Sequence, residues 1–174
     1  MYWQRRLPHW VPDQSIVFVT WRLAGTLPQK PPVIRDGRSF LEHDRLLDQA
    51  VTGPHWLGDP RIAAIFVEAL RYGESARHAY RLVAWSVMPN HVHLVLQPAH
   101  PLPDLVRWLK TATAVRSNSV LGTPGSPFCQ REYFDHWIRS ENELAATIRY
   151  VERNPVTAGL VKEPDAWPWS SAAL

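Results

Sequence analysis

Hydrophobic positions follow two spacings along the chain, and each spacing predicts one kind of element. Segments rich in β-branched and aromatic residues predict strands. These segments cover residues 15–23, 80–88, 91–98 and 128–139. Segments whose apolar residues recur every three or four positions predict helices. They cover residues 39–51, 59–73, 102–118 and 141–154.

Two of these helices carry residues that define their ends. In "DPRIAAIFVEALRYG", Asp59 is the predicted N-cap, Pro60 occupies the first helical position and Gly73 lies just past the end. The last helix is predicted to stop at Asn154, because Pro155 follows it and proline disfavours helical continuation.

The helix at 102–118 is predicted to have one apolar and one polar side. The apolar side comprises Leu105, Trp108, Leu109, Ala112 and Val115. The polar side comprises Arg107, Lys110 and Ser117. We therefore expect the first group to pack on a sheet and the second to face solvent.

The order of the predicted elements indicates a fold. Strand, helix, strand, strand, helix and strand succeed one another, with a further helix at the end. This is the split β-α-β-β-α-β pattern of an α+β, ferredoxin-like domain with an antiparallel sheet. The first and third strands are then central, and the sequence predicts one domain over residues 1–174.

Two histidines interrupt the apolar strand "HVHLVLQP". Because strand side chains alternate, His91, His93 and Val95 are predicted to share one face, while Val92 and Leu94 share the other. Two imidazoles about 7 Å apart on one face can bind a single divalent ion. The alternative is that both are structural histidines, hydrogen-bonded to backbone or carboxylate groups.

The last predicted helix adds two polar side chains at the edge of its buried stripe. Tyr150 and Asn154 are four residues apart and therefore adjacent on the helix surface. They could together reach a metal site on the sheet. The alternative is an ordinary interfacial tyrosine and an asparagine that ends the helix before Pro155.

Composition and charge narrow the protein class further. The chain is 45% hydrophobic, carries a net charge of +3 and has one cysteine, Cys129. No apolar run reaches the ~18 residues of a membrane span. These features predict a soluble cytoplasmic protein without an intramolecular disulfide, and they permit an anionic partner without requiring one.

Several motifs in a fixed order resemble one protein family. They are "MPNHVHLVL", "CQREYFDHWIRSENELAATIRYVERNPVTAGLV" and "WPWSS", preceded by "RRLPHWVPDQSIVFVTWRLAGTLP". Together they are similar to the REP-associated tyrosine transposases, a branch of the single-tyrosine HUH transposases and nucleases. The likeness runs from about Arg5 to Ser171.

The resemblance implies roles for particular residues. His91, His93 and Asn154 match the ligands of a divalent metal ion, either Mg²⁺ or Mn²⁺, and Tyr150 matches the nucleophile. Tyr133, in the "YFDH" block, is a rival nucleophile. Tyrosine attack on single-stranded DNA would leave a 5′-phosphotyrosine and a free 3′-hydroxyl.

The resemblance also implies a partner, a single-stranded DNA hairpin formed by a repetitive palindromic element. We expect a monomer or homodimer with no membrane association, at the nucleoid when bound to DNA. The candidate DNA contacts are basic and aromatic side chains. They are Arg5, Arg6, Trp10, Arg107, Lys110, Arg116, Arg131, Trp137 and Arg139.

Two other functions remain open on the sequence. One is a non-catalytic single-stranded nucleic-acid binder of the same fold, although such domains place aromatic residues where His91 and His93 stand. The other is a metal-dependent hydrolase with water as the nucleophile, which would form no covalent link to DNA.

Overall fold

A computed structural model describes residues 15–26, 44–49 and 53–174. The strands are β1 (Val17–Arg22), β2 (Tyr80–Val87), β3 (His91–Pro98) and β4 (Phe134–Trp137). The longer helices are α1 (Pro60–Ser75), α2 (Leu102–Leu121) and α3 (Glu141–Thr157). Residues 44–48 form a short helical segment. Gln49 forms a turn, and the other residues of the helix predicted at 39–51 lie outside the described residues.

The four strands form one antiparallel sheet in the order β2-β3-β1-β4. This confirms the predicted α+β fold, with β1 and β3 at the centre. In the register between them, Thr20 pairs with His93 and Arg22 pairs with His91. A strand paired along both edges has little freedom to shift, so the histidines stand on the most constrained part of the sheet.

Each face of the sheet has its own core. Val92, Leu94 and Leu96 of β3 pack in the larger core, with α1 and α2. Val95 lies in the smaller core, where Val151 of α3 covers the opposite face. The alternation predicted for β3 is therefore confirmed, and it places His91 and His93 on the α3 face.

Gly73 does not end α1, as the sequence predicted, but lies inside it. A Cβ atom at this position would meet the Tyr80 hydroxyl at 2.2 Å. That hydroxyl donates a 2.7 Å hydrogen bond to the Leu70 carbonyl. The glycine therefore makes room for an aromatic ring against the helix. The helix ends at Ser75, and Ala76 is its C-cap.

The predicted sides of α2 need two corrections. Val115 is 67% exposed, whereas Ser117 is fully buried. The buried stripe instead runs through Leu105, Leu109 and Thr113. Thr113 fits this stripe because its hydroxyl donates to the Leu109 carbonyl, which satisfies the polar group within the helix.

The final strand and helix differ in length from the prediction. Within the predicted 128–139, the strand covers only Phe134–Trp137. Helix α3 continues past Pro155 to Thr157. Proline has a helical φ, but it lacks the N–H that would bond the carbonyl four residues earlier, and its ring crowds that carbonyl. Only two residues of α3 follow Pro155, so this disturbance falls at the end of the helix. Leu160 N–H then donates to the Pro155 carbonyl and closes the last turn.

The segment 167–171 covers the outer edge of β2. Val87 N–H donates to the Trp169 carbonyl, and the Trp167 indole donates to the Val87 carbonyl. Ser171 Oγ accepts from Trp85 N–H. These contacts occupy backbone groups that an edge strand would otherwise expose to other chains. Within the described part of the chain, no helix has both the length and the apolarity to cross a membrane.

The backbone of Gly53 lies very close to the turn after β1. Gly53 has φ +85°, and a Cβ atom there would lie 2.2 Å from the Gly25 carbonyl oxygen and 2.6 Å from Thr26 Cα. Only glycine allows both the left-handed backbone and this approach. Thr26 can therefore occupy its position only because glycine, which has no side chain, stands at position 53.

We predict that Gly73→Ala destabilises the protein by about 1–3 kcal/mol, because the new methyl group displaces the Tyr80 ring. In a Tyr80→Ala background the clash is gone. There Gly73→Ala should stabilise the fold by up to about 1 kcal/mol through helix propensity. Urea denaturation of the four proteins measures both values. The same sign in both backgrounds would contradict this account of Gly73.

Candidate metal centre and nucleophile

The two imidazoles of β3 face each other inside the protein. His91 is 1% exposed and His93 is fully buried. Their Nε2 atoms are 2.9 Å apart. Phe18, on the neighbouring strand, stacks on the His93 ring with centroids 5.6 Å apart. The sheet thus holds two nitrogen ligands in a fixed relation.

Asn90 determines which nitrogen of His91 carries the proton. Its amide nitrogen donates to the Leu47 carbonyl at 2.8 Å, which orients the side chain. Its Oδ1 then lies 2.6 Å from His91 Nδ1 and accepts that hydrogen. The lone pair of His91 is consequently on Nε2, directed at His93. A ring held in this way is typical of metal-ligating histidines.

A carboxylate from the 44–48 segment completes the group. Asp44 Oδ1 lies 3.4 Å from His93 Nε2 and 3.7 Å from His91 Nε2. The three residues are buried, and their ligand atoms all lie within 4.8 Å of one another. Two nitrogens and one carboxylate oxygen therefore converge on one point.

The second oxygen of Asp44 contacts α3. The Tyr150 hydroxyl donates to Asp44 Oδ2, and Asn154 Nδ2 donates to the same oxygen at 3.3 Å. The Tyr150 ring also lies 5.7 Å from that of His93. One carboxylate thus joins the imidazole pair to the tyrosine.

The electrostatics of the site follow from this arrangement. Burial favours a raised pKa at Asp44, but His93, His91 and the Tyr150 hydroxyl together hold that pKa below its usual range. Burial, followed by the charge of Asp44, raises the pKa of Tyr150 far above its usual value. The tyrosine is therefore a neutral phenol at physiological pH.

Asp48 is the second acidic group near the imidazoles. Its Oδ1 lies 3.9 Å from His91 Nε2. Burial and the neighbouring Asp44 charge raise its pKa to about 7. Two carboxylates this close repel each other, so a cation between them and the imidazoles would relieve the repulsion.

The donor set fits a divalent metal ion. Ligands about 2.1 Å from an ion are about 3.0 to 3.4 Å from one another in octahedral or tetrahedral sites. The observed separations of 2.9, 3.4 and 3.7 Å are close to this range. Several buried atoms here also have no hydrogen-bond partner in the described part of the chain. They are Asp44 Oδ1, Asp48 Oδ1, His93 Nδ1 and Asn154 Oδ1.

The structure brings together all four core residues predicted from the sequence: His91, His93, Tyr150 and Asn154. Asn154 contacts Asp44 through its amide nitrogen, so its role as a ligand stays a prediction. Tyr133 lies elsewhere, buried in the core on the α1 and α2 side of the sheet. The geometry therefore favours Tyr150 over Tyr133 as the nucleophile.

Sequence reasoning missed Asp44. The sequence did contain a sign of it, because Asp44 and Asp48 are four residues apart on a predicted helix whose apolar residues include Leu47. Acidic side chains beside the buried side of a helix need partners. Here those partners are histidines more than forty residues away, which sequence spacing cannot identify.

The predicted DNA contacts lie in several places. Arg107 pairs with Asp104, and Arg116 pairs with Glu68, both on the helical face away from the histidines. Arg139 lies over the Trp137 ring, and Arg131 is exposed. Arg5, Arg6 and Trp10 are outside the described residues. DNA contact by each of these side chains stays a prediction.

Lys110 already has three partners. Its ammonium donates to the backbone carbonyls of Gln130, Arg131 and Glu132 at 3.0 to 3.1 Å. Burial lowers its pKa to about 8. A phosphate contact would replace one of these bonds, so in this structure Lys110 supports the chain before β4.

Known proteins place the chain in a wider context. A Haemophilus influenzae protein provisionally named a REP-associated tyrosine transposase is 28% identical, and the match covers 58% of this chain and 64% of that protein. The chain therefore spans less than two thirds of that relative's length. A solved REP-associated tyrosine transposase bound to a REP hairpin has a TM-score of 0.63 over 98% of this chain and 82% of its own, at 19% identity.

That structural likeness shows a shared fold. A Deinococcus radiodurans crystal structure, provisionally described as a transposase, covers 88% of this chain and 98% of its own at 22% identity. Its TM-score of 0.47 is too low to support an argument. The family described as "Transposase IS200 like" matches residues 63–154. Since that match spans more than half of the chain, the protein belongs to the IS200-like transposase family.

Proposed function

We propose that this transposase cuts and rejoins single-stranded DNA by metal-dependent tyrosine transesterification. The observation that carries the proposal is the position of Asp44. One of its oxygens faces both imidazole Nε2 atoms, and the other accepts the hydrogen of the Tyr150 hydroxyl. A nucleophile and a metal-binding group thus share one carboxylate.

Four side chains would hold the ion. His91, His93 and Asp44 supply two nitrogens and an oxygen, and Asn154 adds its buried amide oxygen. When bound, Mg²⁺ or Mn²⁺ acts as a Lewis acid that polarises the phosphate and stabilises its developing charge. Imidazole ligands favour Mn²⁺ by softness, and cellular abundance favours Mg²⁺.

Tyr150 would then attack the scissile phosphorus. A bond forms between its hydroxyl oxygen and phosphorus, and the bond from phosphorus to the 3′ oxygen breaks. The phenolic proton leaves through Asp44 Oδ2, which already accepts it as a hydrogen bond. The departing 3′ oxygen takes up a proton in exchange, either returned by Asp44 or from water. The products are then a 5′-phosphotyrosine and a 3′-hydroxyl that can reverse the step or join another strand.

The substrate class follows from the family and its relatives. A structural neighbour is bound to a REP hairpin, and we propose a similar single-stranded hairpin, from a repetitive palindromic element, as the partner here. We further propose that residues 1–174 act as one HUH domain in the cytoplasm. The expected monomer or homodimer stays a prediction.

Two other functions make different use of the same residues. A non-catalytic nucleic-acid binder would have no use for a hydroxyl held at a metal-binding group. A hydrolase with water as the nucleophile would act without Tyr150. The hydrogen bond from Tyr150 to Asp44 favours transesterification over both.

Tyr150→Phe should abolish covalent attachment to DNA, because it removes only the attacking oxygen. Wild-type protein is incubated with Mn²⁺ and end-labelled single-stranded oligonucleotides, each carrying a palindromic repeat of the source genome with its flanks. A denaturing gel should show labelled protein for the wild type and none for Tyr150→Phe, which should still bind the DNA.

Tyr133→Phe is the matched control, because it removes a hydroxyl from a tyrosine in the opposite core. It should form the adduct as the wild type does. An adduct that persists in Tyr150→Phe would refute the proposal, as would cleavage without any adduct in the wild type.

Asp44→Asn should weaken Mn²⁺ binding by about 10-fold or more, because it removes the only carboxylate that faces both imidazoles among the described residues. Mn²⁺ titration followed by electron paramagnetic resonance measures this affinity without DNA. Asp104→Asn removes an exposed carboxylate from α2 and should leave the affinity unchanged. Equal affinities in the two variants would exclude Asp44 as a ligand, and undiminished cleavage in excess chelator would exclude the metal altogether.

A further inference from the structure

We infer that Arg22 is a second functional cation of the site and binds the scissile phosphate of the DNA strand. This role rests on the proposed transesterification and adds a residue to it. Arg22 is the last residue of β1, and its Cα partner across the sheet is His91.

Strand pairing puts the Arg22 side chain on the face of the histidines. Directly opposed residues of antiparallel strands point to the same side, with Cβ atoms about 4.5–5.5 Å apart. The next pair on that face is Thr20 with His93. Arg22 therefore lies beside the imidazole pair, at the His91 end.

The bonding of Arg22 leaves most of its capacity unused. Among the described residues, its guanidinium makes one hydrogen bond, from Nη1 to Thr26 Oγ1 at 3.2 Å. A guanidinium has five N–H donors. No carboxylate in the described part of the chain lies within ion-pair distance of it. By contrast, Arg61, Arg107 and Arg116 each have an acidic partner.

Burial makes this lack of an acidic partner costly. Arg22 is only partly exposed, and burial lowers its pKa with no acidic neighbour among the described residues to oppose the effect. A single neutral hydrogen bond does not offset the loss of hydration of a cation. An anion would do so, and the planar fork of arginine matches two oxygens of a phosphate.

The position of Arg22 relative to the nucleophile supports a phosphodiester as that anion. Tyr150 lies against His93, and Arg22 is paired with His91. Both side chains are partly exposed, whereas His91, His93, Asp44 and Asn154 are buried. A phosphate entering from solvent would thus have the tyrosine on one side of the imidazole pair and the guanidinium on the other. In that position Arg22 offsets the charge that builds on the phosphate oxygens during attack.

The turn after β1 aims the guanidinium. Thr26 is 2% exposed, and its hydroxyl donates to the Leu23 carbonyl, so that its lone pairs are oriented. One guanidinium nitrogen is anchored there, and the other donors, which have no partner in the part of the chain that the structure describes, can bind the substrate.

Three variants test this role: Arg22→Gln, Arg22→Lys, and the control Arg61→Gln, at an exposed arginine on the helix that packs against the far face of the sheet. With Mn²⁺ and the labelled hairpin oligonucleotides, single-turnover adduct formation should fall about 100- to 1,000-fold in Arg22→Gln. It should fall less in Arg22→Lys, which keeps the charge but loses the fork. Arg61→Gln should stay within about two-fold of the wild type, as expected for an exposed ion pair.

Two measurements without cleavage separate substrate binding from a structural role. Inorganic phosphate should bind Mn²⁺-loaded Arg22→Gln about 10-fold more weakly than Mn²⁺-loaded Arg61→Gln, as measured by ³¹P relaxation. Mn²⁺ affinity itself should be the same in both variants. A loss of Mn²⁺ affinity, or of folding in both Arg22 variants on thermal melting, would identify Arg22 as structural and overturn the inference.

The two proposals can fail independently. A wild-type protein that forms no adduct, together with weaker phosphate binding in Arg22→Gln, would refute transesterification and uphold the phosphate site. Adduct formation in the wild type with equal rates and equal phosphate affinities in Arg22→Gln and Arg61→Gln would uphold transesterification and refute the phosphate site.

Discussion

Burial of one carboxylate is the constraint on which the site depends. Asp44 is 2% exposed, and an ionised carboxylate taken out of water costs several kcal/mol unless charges and hydrogen bonds compensate it. The compensation comes from His91 and His93 on β3 and from Tyr150 and Asn154 on α3. The segment that carries Asp44, strand β3 and helix α3 are therefore coupled through this one carboxylate. A divalent ion adds positive charge at the point where the burial of negative charge is least favourable, so metal binding and stability of the site should rise together.

The sheet fixes the positions of the imidazoles that contact Asp44. β1 and β3 are each paired on both sides, and the residues that face Asp44 or flank it belong to these two strands and to α3. Asn90 extends the arrangement to the 44–48 segment, since it bonds both His91 and the Leu47 carbonyl. The orientation of one imidazole and the position of the segment that carries Asp44 are therefore linked through a single amide.

Local periodicity predicted much of this architecture. Strand alternation placed His91 and His93 on the face opposite Val92 and Leu94, and helical spacing put Tyr150 beside Asn154. These inferences hold because they depend only on the geometry of one element. The errors have a different origin. Gly73 and Pro155 are ordinary helix-ending residues that tertiary packing keeps inside helices.

Residues whose roles depend on distant partners were beyond sequence reasoning. The role of Asp44 depends on its contact with His93, and that of Arg22 on its pairing with His91. The role of Lys110 depends on three carbonyls about twenty residues away. Charge alone made Lys110 a candidate for DNA, whereas burial shows it supporting the chain before β4. A charged residue in a sequence has no defined function until its burial and its partners are known.

The close approach of Gly53 to the turn after β1 has a consequence for how this chain can change over evolutionary time. Any side chain at position 53 would push the backbone at Gly25 and Thr26 outward. Thr26 anchors Arg22, so a substitution at a loop glycine about forty residues before the histidines in sequence would displace the guanidinium at the site. Drift at position 53 is thus restricted to compensated pairs of mutations, and a lineage that loses this glycine has to rebuild the turn at the same time.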